Sequence, residues 1–142
     1  MKNKLLDIVN LRKFYHSNKD EIEAIHDVSF DVYENDFISI VGPSGCGKST
    51  ILSILAGLEK KSAGSINMNK NLSVGYMLQD DSLFPWRNIL DNCLVGLEVA
   101  GKLNEENKKY VLDLLKTYGL DEFKYKYPSS LSGGMRQRVV CI

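Results

Sequence analysis

Gly42-Pro43-Ser44-Gly45-Cys46-Gly47-Lys48-Ser49 runs directly into Thr50-Ile51-Leu52-Ser53-Ile54-Leu55-Ala56. The first eight residues satisfy G-x-x-x-x-G-K-[ST], the pattern of a loop whose backbone amides cradle phosphate oxygens. Each fixed position has a physical reason. Glycines allow a tight turn with N–H groups converging on an anion. Lys48 brings a point charge to the terminal phosphates, and Ser49 offers a hydroxyl to Mg2+. The helix predicted from Ser49 to Ala56, stopped by Gly57, adds its positive N-terminal end to the same place. On the other side, Phe37-Ile38-Ser39-Ile40-Val41 is a short apolar, β-branched run that predicts a buried strand. Strand, glycine loop, Lys-Ser and helix follow in the order the mechanism requires. That order argues against the bland alternative, a glycine-rich turn with an incidental lysine.

Composition sets the outer bounds. The chain has 142 residues, 44% hydrophobic and 25% charged, which suits one globular domain with a real core. Eighteen basic and eighteen acidic residues cancel, which disfavours nucleic acid as a partner. Cys46, Cys93 and Cys141 are odd in number and widely spaced, so they suggest reduced thiols rather than a disulfide or metal framework. The Cys46 thiol reads as incidental, with its backbone N–H serving the loop. No apolar run approaches the roughly 18–20 residues that cross a bilayer. A membrane role would therefore go through a partner.

Along the chain, Leu5 to Leu11 predicts a first strand. Val28, Phe30 and Val32 alternate with polar residues, the period of a half-buried strand. Ser65–Met68 and Val74–Met77 predict short strands around a polar tip. Asn88 to Glu98 predicts a helix. Asn104, followed by Glu105 and Glu106, caps another, with Val111, Leu114, Leu115 and Tyr118 on its apolar face and Gly119 at its end. Strands early and helices late make a mixed α/β chain.

A phosphate loop alone does not separate a kinase from a GTPase or a motor. Leu131-Ser132-Gly133-Gly134-Met135-Arg136-Gln137-Arg138 does. Ser132 is a hydroxyl N-cap, Gly133 and Gly134 let backbone approach an anion, and a helix follows through Val140. This segment resembles the signature motif of ATP-binding-cassette (ABC) ATPases, and the resemblance runs from about Leu5 to Val140. The run from Met77 through Glu98, together with Tyr127-Pro128-Ser129-Ser130, is most similar to the subgroup serving nitrate, sulfonate and taurine importers.

The resemblance implies a P-loop ABC ATPase fold, here incomplete. It has a β and phosphate-loop core over about 1–80 and a helical subdomain over about 81–135. It implies ATP and Mg2+ as ligands. Gly42, Pro43, Ser44, Gly45, Cys46, Gly47, Lys48, Ser49 and Thr50 would hold the phosphates and metal, and Tyr15 would stack on adenine, with Phe14 as the competing aromatic. Gln79 would touch Mg2+ and the attacking water, making it catalytic together with Lys48. Ser132, Gly133, Gly134 and Gln137 would close on the nucleotide of a second, identical subunit. Leu83-Phe84-Pro85-Trp86-Arg87-Asn88 would meet transmembrane permease subunits, or its aromatics would simply pack. A substrate-binding protein would be an indirect partner, and the place of work the cytoplasmic face of the membrane.

The same resemblance implies parts the sequence does not contain. In the family, an apolar strand ending in Asp and a catalytic Glu follows the signature helix, and a switch histidine comes later. His16 and His26 both precede the glycine loop, and surface positions or strand ends are expected for them. The chain alone is thus expected to bind MgATP weakly and to hydrolyse it negligibly. Two alternatives to an importer's energy-coupling subunit stay open. One is a non-catalytic nucleotide- or partner-binding fragment, and the other is a soluble ABC ATPase without a membrane partner.

Overall fold

In the computed structural model, which describes residues 2–16, 20–70 and 72–142, the chain divides into two units, Met1–Tyr76 and Met77–Ile142. The first is built on a three-stranded antiparallel sheet. β1 (Lys4–His16) pairs with β2 (Glu21–Tyr33) on one edge and β3 (Ala63–Met68) on the other. The predicted Leu5–Leu11 strand thus extends to His16. Alternation puts Leu6 and Ile8 on the inner face, and an irregularity in the pairing between Ile8 and Leu11 then turns Leu11 inward as well. Asn10, at φ 50°, absorbs that irregularity, as an extra residue in a bulge does. Ile25 of β2 and Ile51 and Ile54 of α1 (Lys48–Leu55) complete this core. Helix α1 ends in a Schellman motif: Gly57, at φ 74°, donates its N–H to Ile54 O, and Leu58 donates to Ser53 O.

The predicted strand over Phe37–Val41 is not formed. These residues are irregular, with Phe37 97% and Val41 86% exposed. Sequence pattern can mark an apolar run as strand material, but a strand exists only when a neighbour completes its hydrogen bonds. Among the described residues none pairs with this run. Its apolar side chains instead border an open cavity of about 420 Å³, where Ile38 and Ile40 face Phe30, Val32, Leu52 and Leu55. Val74–Met77 is irregular for the same reason.

The second unit is helical. α2 (Ile89–Val99) begins where Asn88 accepts a hydrogen bond from the Asp91 N–H at 2.8 Å. α3 (Glu105–Thr117) begins where Asn104 accepts from the Asn107 N–H at 2.8 Å, with Glu105 and Glu106 in its first turn and Lys116 in its last. Gly119, at φ 69°, ends α3 in another Schellman motif, closed by the Leu120 N–H on Leu115 O. Of the predicted apolar stripe, Val111 and Leu115 are buried, whereas Tyr118 is exposed at the helix end. Leu120 takes its place, and with Ile89, Leu90, Leu94, Leu131 and Val139 of α4 (Gly133–Val140) it forms a separate core.

Candidate functional site

In the first unit the loop of residues 42–47 turns on two left-handed glycines, Gly45 at φ 82° and Gly47 at φ 88°. Gly47 is the N-cap of α1, and its carbonyl accepts the first helical bond, from Ile51 N–H. No side chain caps this end. The amides of Lys48, Ser49 and Thr50 therefore start the helix without intrahelical partners, as donors pointing along a positive dipole. The Lys48 ammonium folds back over the loop, donating to Gly42 O at 2.9 Å and Pro43 O at 2.7 Å. The Cys46 sulfur lies 3.6 Å away. Pro43 O also accepts from Cys46 N–H, closing the turn. Gly42, Pro43, Ser44, Cys46 and Ser49 are exposed. Chemically this is a glycine loop with one cation folded over it, an uncapped helix start, and a hydroxyl beside both. Such an arrangement suits a polyphosphate, and Ser49 offers the hard oxygen that Mg2+ carried on phosphates accepts.

Tyr15 lies near the far end of β1, opposite Ile22 of β2, and is 41% exposed. Phe14, its neighbour, points to the other face of the strand and is partly buried. Gly47 rests against the Ala24 carbonyl, so the helix-capping end of the loop and Tyr15 meet β2 two residues apart. His16 and His26 are exposed, facing Glu21 and Glu23 respectively.

In the second unit the signature segment forms its own helix start. Ser132 Oγ accepts from the Met135 N–H at 3.3 Å, leaving the exposed amides of Gly133 and Gly134 at the beginning of α4. Gln137 is exposed and donates through Nε2 to the backbone carbonyl of Gln79 at 3.3 Å. Arg136 reinforces that tie: Nε donates to Asp81 Oδ2 at 2.5 Å and another guanidinium nitrogen to Leu131 O at 2.8 Å. The hydrogen bond from Arg136 holds the Asp81 carboxyl below its usual range. Sequence reading missed this bracket. Asp81 and Arg136 are 55 residues apart, with no local spacing to link them.

The segment with exposed aromatics is also held firmly. Asn92 Oδ1 accepts from the Phe84 N–H at 2.7 Å, while its Nδ2 shares two N–H donors among the carbonyls of Phe84, Arg87 and Asn88 at 3.1, 3.0 and 2.9 Å. Phe84 and Trp86 lie 5.2 Å apart between ring centroids, and Trp86 is 70% exposed. Packing in a core therefore does not describe Trp86. Among the described residues no helix is long and apolar enough to cross a membrane, and no cluster of acidic, histidine or cysteine side chains could hold a metal by itself.

Comparison with known proteins gives the same outline. The family profile described as ABC transporter matches residues 25–142. An uncharacterized ABC transporter ATP-binding protein, YtlC of Bacillus subtilis (strain 168), is 47% identical over 94% of this chain and 54% of its own length. The taurine import ATP-binding protein TauB of Rhizobium johnstonii is 43% identical over 83% of this chain and 47% of its own. The aliphatic sulfonates import ATP-binding protein SsuB 1 of Rhodococcus jostii (strain RHA1) is 38% identical over 94% and 52%. The chain thus spans about half the length of the curated relatives it matches. Among solved structures, the ATP-binding cassette MJ0796, a dimer in a post-hydrolysis state bound to ADP and Pi, superposes with a TM-score of 0.81. It is 30% identical, over 96% of this chain and 67% of that one.

Proposed function

Because the chain belongs to the ABC transporter family, we propose that it is the ATP-binding, energy-coupling part of an importer for taurine, an aliphatic sulfonate, nitrate or a related oxyanion. The observation that carries the reading is the Lys48 ammonium folded over the glycine loop, on the carbonyls of Gly42 and Pro43, beside a helix start that no side chain caps. Residues 42–50 hold the phosphates, with Ser49 reaching Mg2+. When bound, Mg2+ neutralises phosphate charge and orients the terminal phosphoryl group. Tyr15 stacks on the base. Gln79 senses the terminal phosphate, and Ser132, Gly133, Gly134 and Gln137 present a second amide-lined helix start to the nucleotide of a partner subunit. Two separately packed units support a division into a β and phosphate-loop core, about 1–80, and a helical part, about 81–135.

The dimeric state of the similar cassette supports pairing with a second ATP-binding subunit. The names of the similar proteins support an importer with membrane-spanning permease subunits and, indirectly, a substrate-binding protein. The exposed Trp86 on its braced segment is the natural contact for a permease at the cytoplasmic face of the membrane. The test is equilibrium binding of MgATP to this chain and to its Lys48→Ala variant, with circular dichroism to verify folding. The expected result is saturable binding by the wild type and a loss of at least about tenfold in Lys48→Ala, the range of a charge-assisted contact to phosphate. Equal affinity in the two proteins would refute the assignment of the loop.

A further inference from the structure

Lys13 is the buried charged side chain of the described residues, at 8% exposure. Its ammonium donates to Glu59 Oε1 at 2.9 Å and to the Lys60 carbonyl at 2.8 Å, both just beyond α1. It also stands 4.7 Å from the centroid of the Tyr15 ring. Burying an ammonium is unfavourable unless it is paired, and a buried pair rarely stabilises more than hydrocarbon of the same volume. Packing alone would be served by Met or Leu at this point of β1. What the cation does that hydrocarbon cannot is occupy one face of an aromatic ring.

The register gives that contact a place. Lys13 sits opposite Ile25 and Tyr15 opposite Ile22, while Gly47 touches Ala24 and Ile25. Lys13 therefore lies on the rung of the ribbon that meets the phosphate loop, and Tyr15 lies one side chain further along the same face. Glu59 and Lys60 fix the ammonium to the far end of the loop's own helix. Tyr15 keeps 41% of its surface open. A cation on one face draws ring density toward itself, which makes the other face a better partner for an electron-rich purine.

We propose that Lys13 is a positioning residue for base recognition. Anchored by Glu59 and the Lys60 carbonyl, it holds one face of Tyr15 so that the other is presented to a purine, and it thereby makes the site prefer a nucleotide over bare triphosphate. This inference rests on the nucleotide-binding reading above and adds the residue that sets its base preference.

The test uses the whole 142-residue chain, with MgATP and magnesium tripolyphosphate as competitors of a fluorescent ATP analogue. In Lys13→Met the dissociation constant for MgATP should rise by about three- to tenfold, the range of a partly desolvated cation–π contact, with tripolyphosphate unchanged. Lys13→Arg should keep the preference for ATP. Tyr15→Ala should show a loss of ATP affinity that Lys13→Met does not deepen, since the two residues act as one unit. If Lys13→Met does not fold, Glu59→Ala, which releases the anchor, is read by the same criterion.

Equal weakening of both ligands would assign Lys13 a purely structural role and overturn the proposal. So would a full Lys13 effect in the Tyr15→Ala background. Unchanged MgATP binding in Lys13→Met would overturn this inference and leave the nucleotide site standing. Wild-type protein that binds neither ligand would overturn both.

Discussion

Replacing Gly47 by alanine probes the phosphate loop at its tightest point. Gly47 is buried and caps α1 at φ 88° and ψ 3°. A residue with a Cβ adopts that left-handed conformation at a cost of about 1–2 kcal/mol. The added methyl would also collide with the Ala24 carbonyl oxygen and come to 3.2 Å from Ile25 Cγ1. Ala24 lies within β2, at an irregularity in its pairing with β1, and its carbonyl is main chain that moves only with the strand, not as a side chain could. The loop must retreat, and overpacking of this kind costs about 1–3 kcal/mol more. Gly47→Ala should therefore lose about 2–5 kcal/mol. Gly45 is the internal control. Its φ is 82°, but a Cβ there meets nothing within 4 Å, so Gly45→Ala carries only the backbone cost, about 1–2 kcal/mol. Urea melts followed by circular dichroism would measure both losses, and MgATP titration would measure the loop. Gly47→Ala should fall further on both counts. Identical melting curves for the two variants would refute the argument that β2 backs the loop.

Other expectations follow from single contacts. Cys46 and Cys141 are exposed, whereas burial pushes the Cys93 thiol up to about 11. At pH 8 a thiol reagent should modify the first two promptly and Cys93 only in denaturant, with MgATP slowing Cys46 alone. Asp81 is held low by its hydrogen bond from Arg136. The unfolded chain then takes up that proton more readily than the folded one. The pair's contribution is complete above the ordinary value of 3.8 and disappears as the pH falls through the lower folded value. Carboxyl NMR should show the Asp81 titration moving upward in Arg136→Gln, and an unmoved titration would contradict the bracket. Leu115→Ala, at a fully buried position that also closes the α3 Schellman motif, should cost about 2–5 kcal/mol in urea melts. Tyr118→Ala, at an exposed helix end, should cost far less.

Local chemistry was the legible part of this chain. Asn104 and Ser132 each announce a helix start, because a short polar side chain there can accept from a first-turn amide, whereas the cap at Asn88 was not read from the sequence. Gly57 and Gly119 announce helix ends on equally local grounds. The glycine loop of residues 42–47 is legible as a tight turn because its left-handed positions, Gly45 and Gly47, are glycines in one contiguous pattern. Phe37–Val41 misled because apolar content says that a segment can be buried, not what will bury it. Lys13–Glu59 and Asp81–Arg136 were invisible for a different reason. Each joins residues far apart in sequence, and each partner alone looks like an ordinary surface charge.

Asn92 gives the second unit a division of labour. One side chain on α2 holds the main chain of Phe84 to Asn88, accepting from one amide and sharing its two N–H donors among three nearby carbonyls. Arg87 adds a side-chain tie to Glu98 of α2 at 2.7 Å, whereas the exposed Trp86 ring takes no part in the brace. The residue at position 86 can therefore drift while the shape of the segment stays fixed. A lineage could exchange one partner surface for another by changing that projecting residue, provided the amide beneath and the Arg87–Glu98 tie are kept.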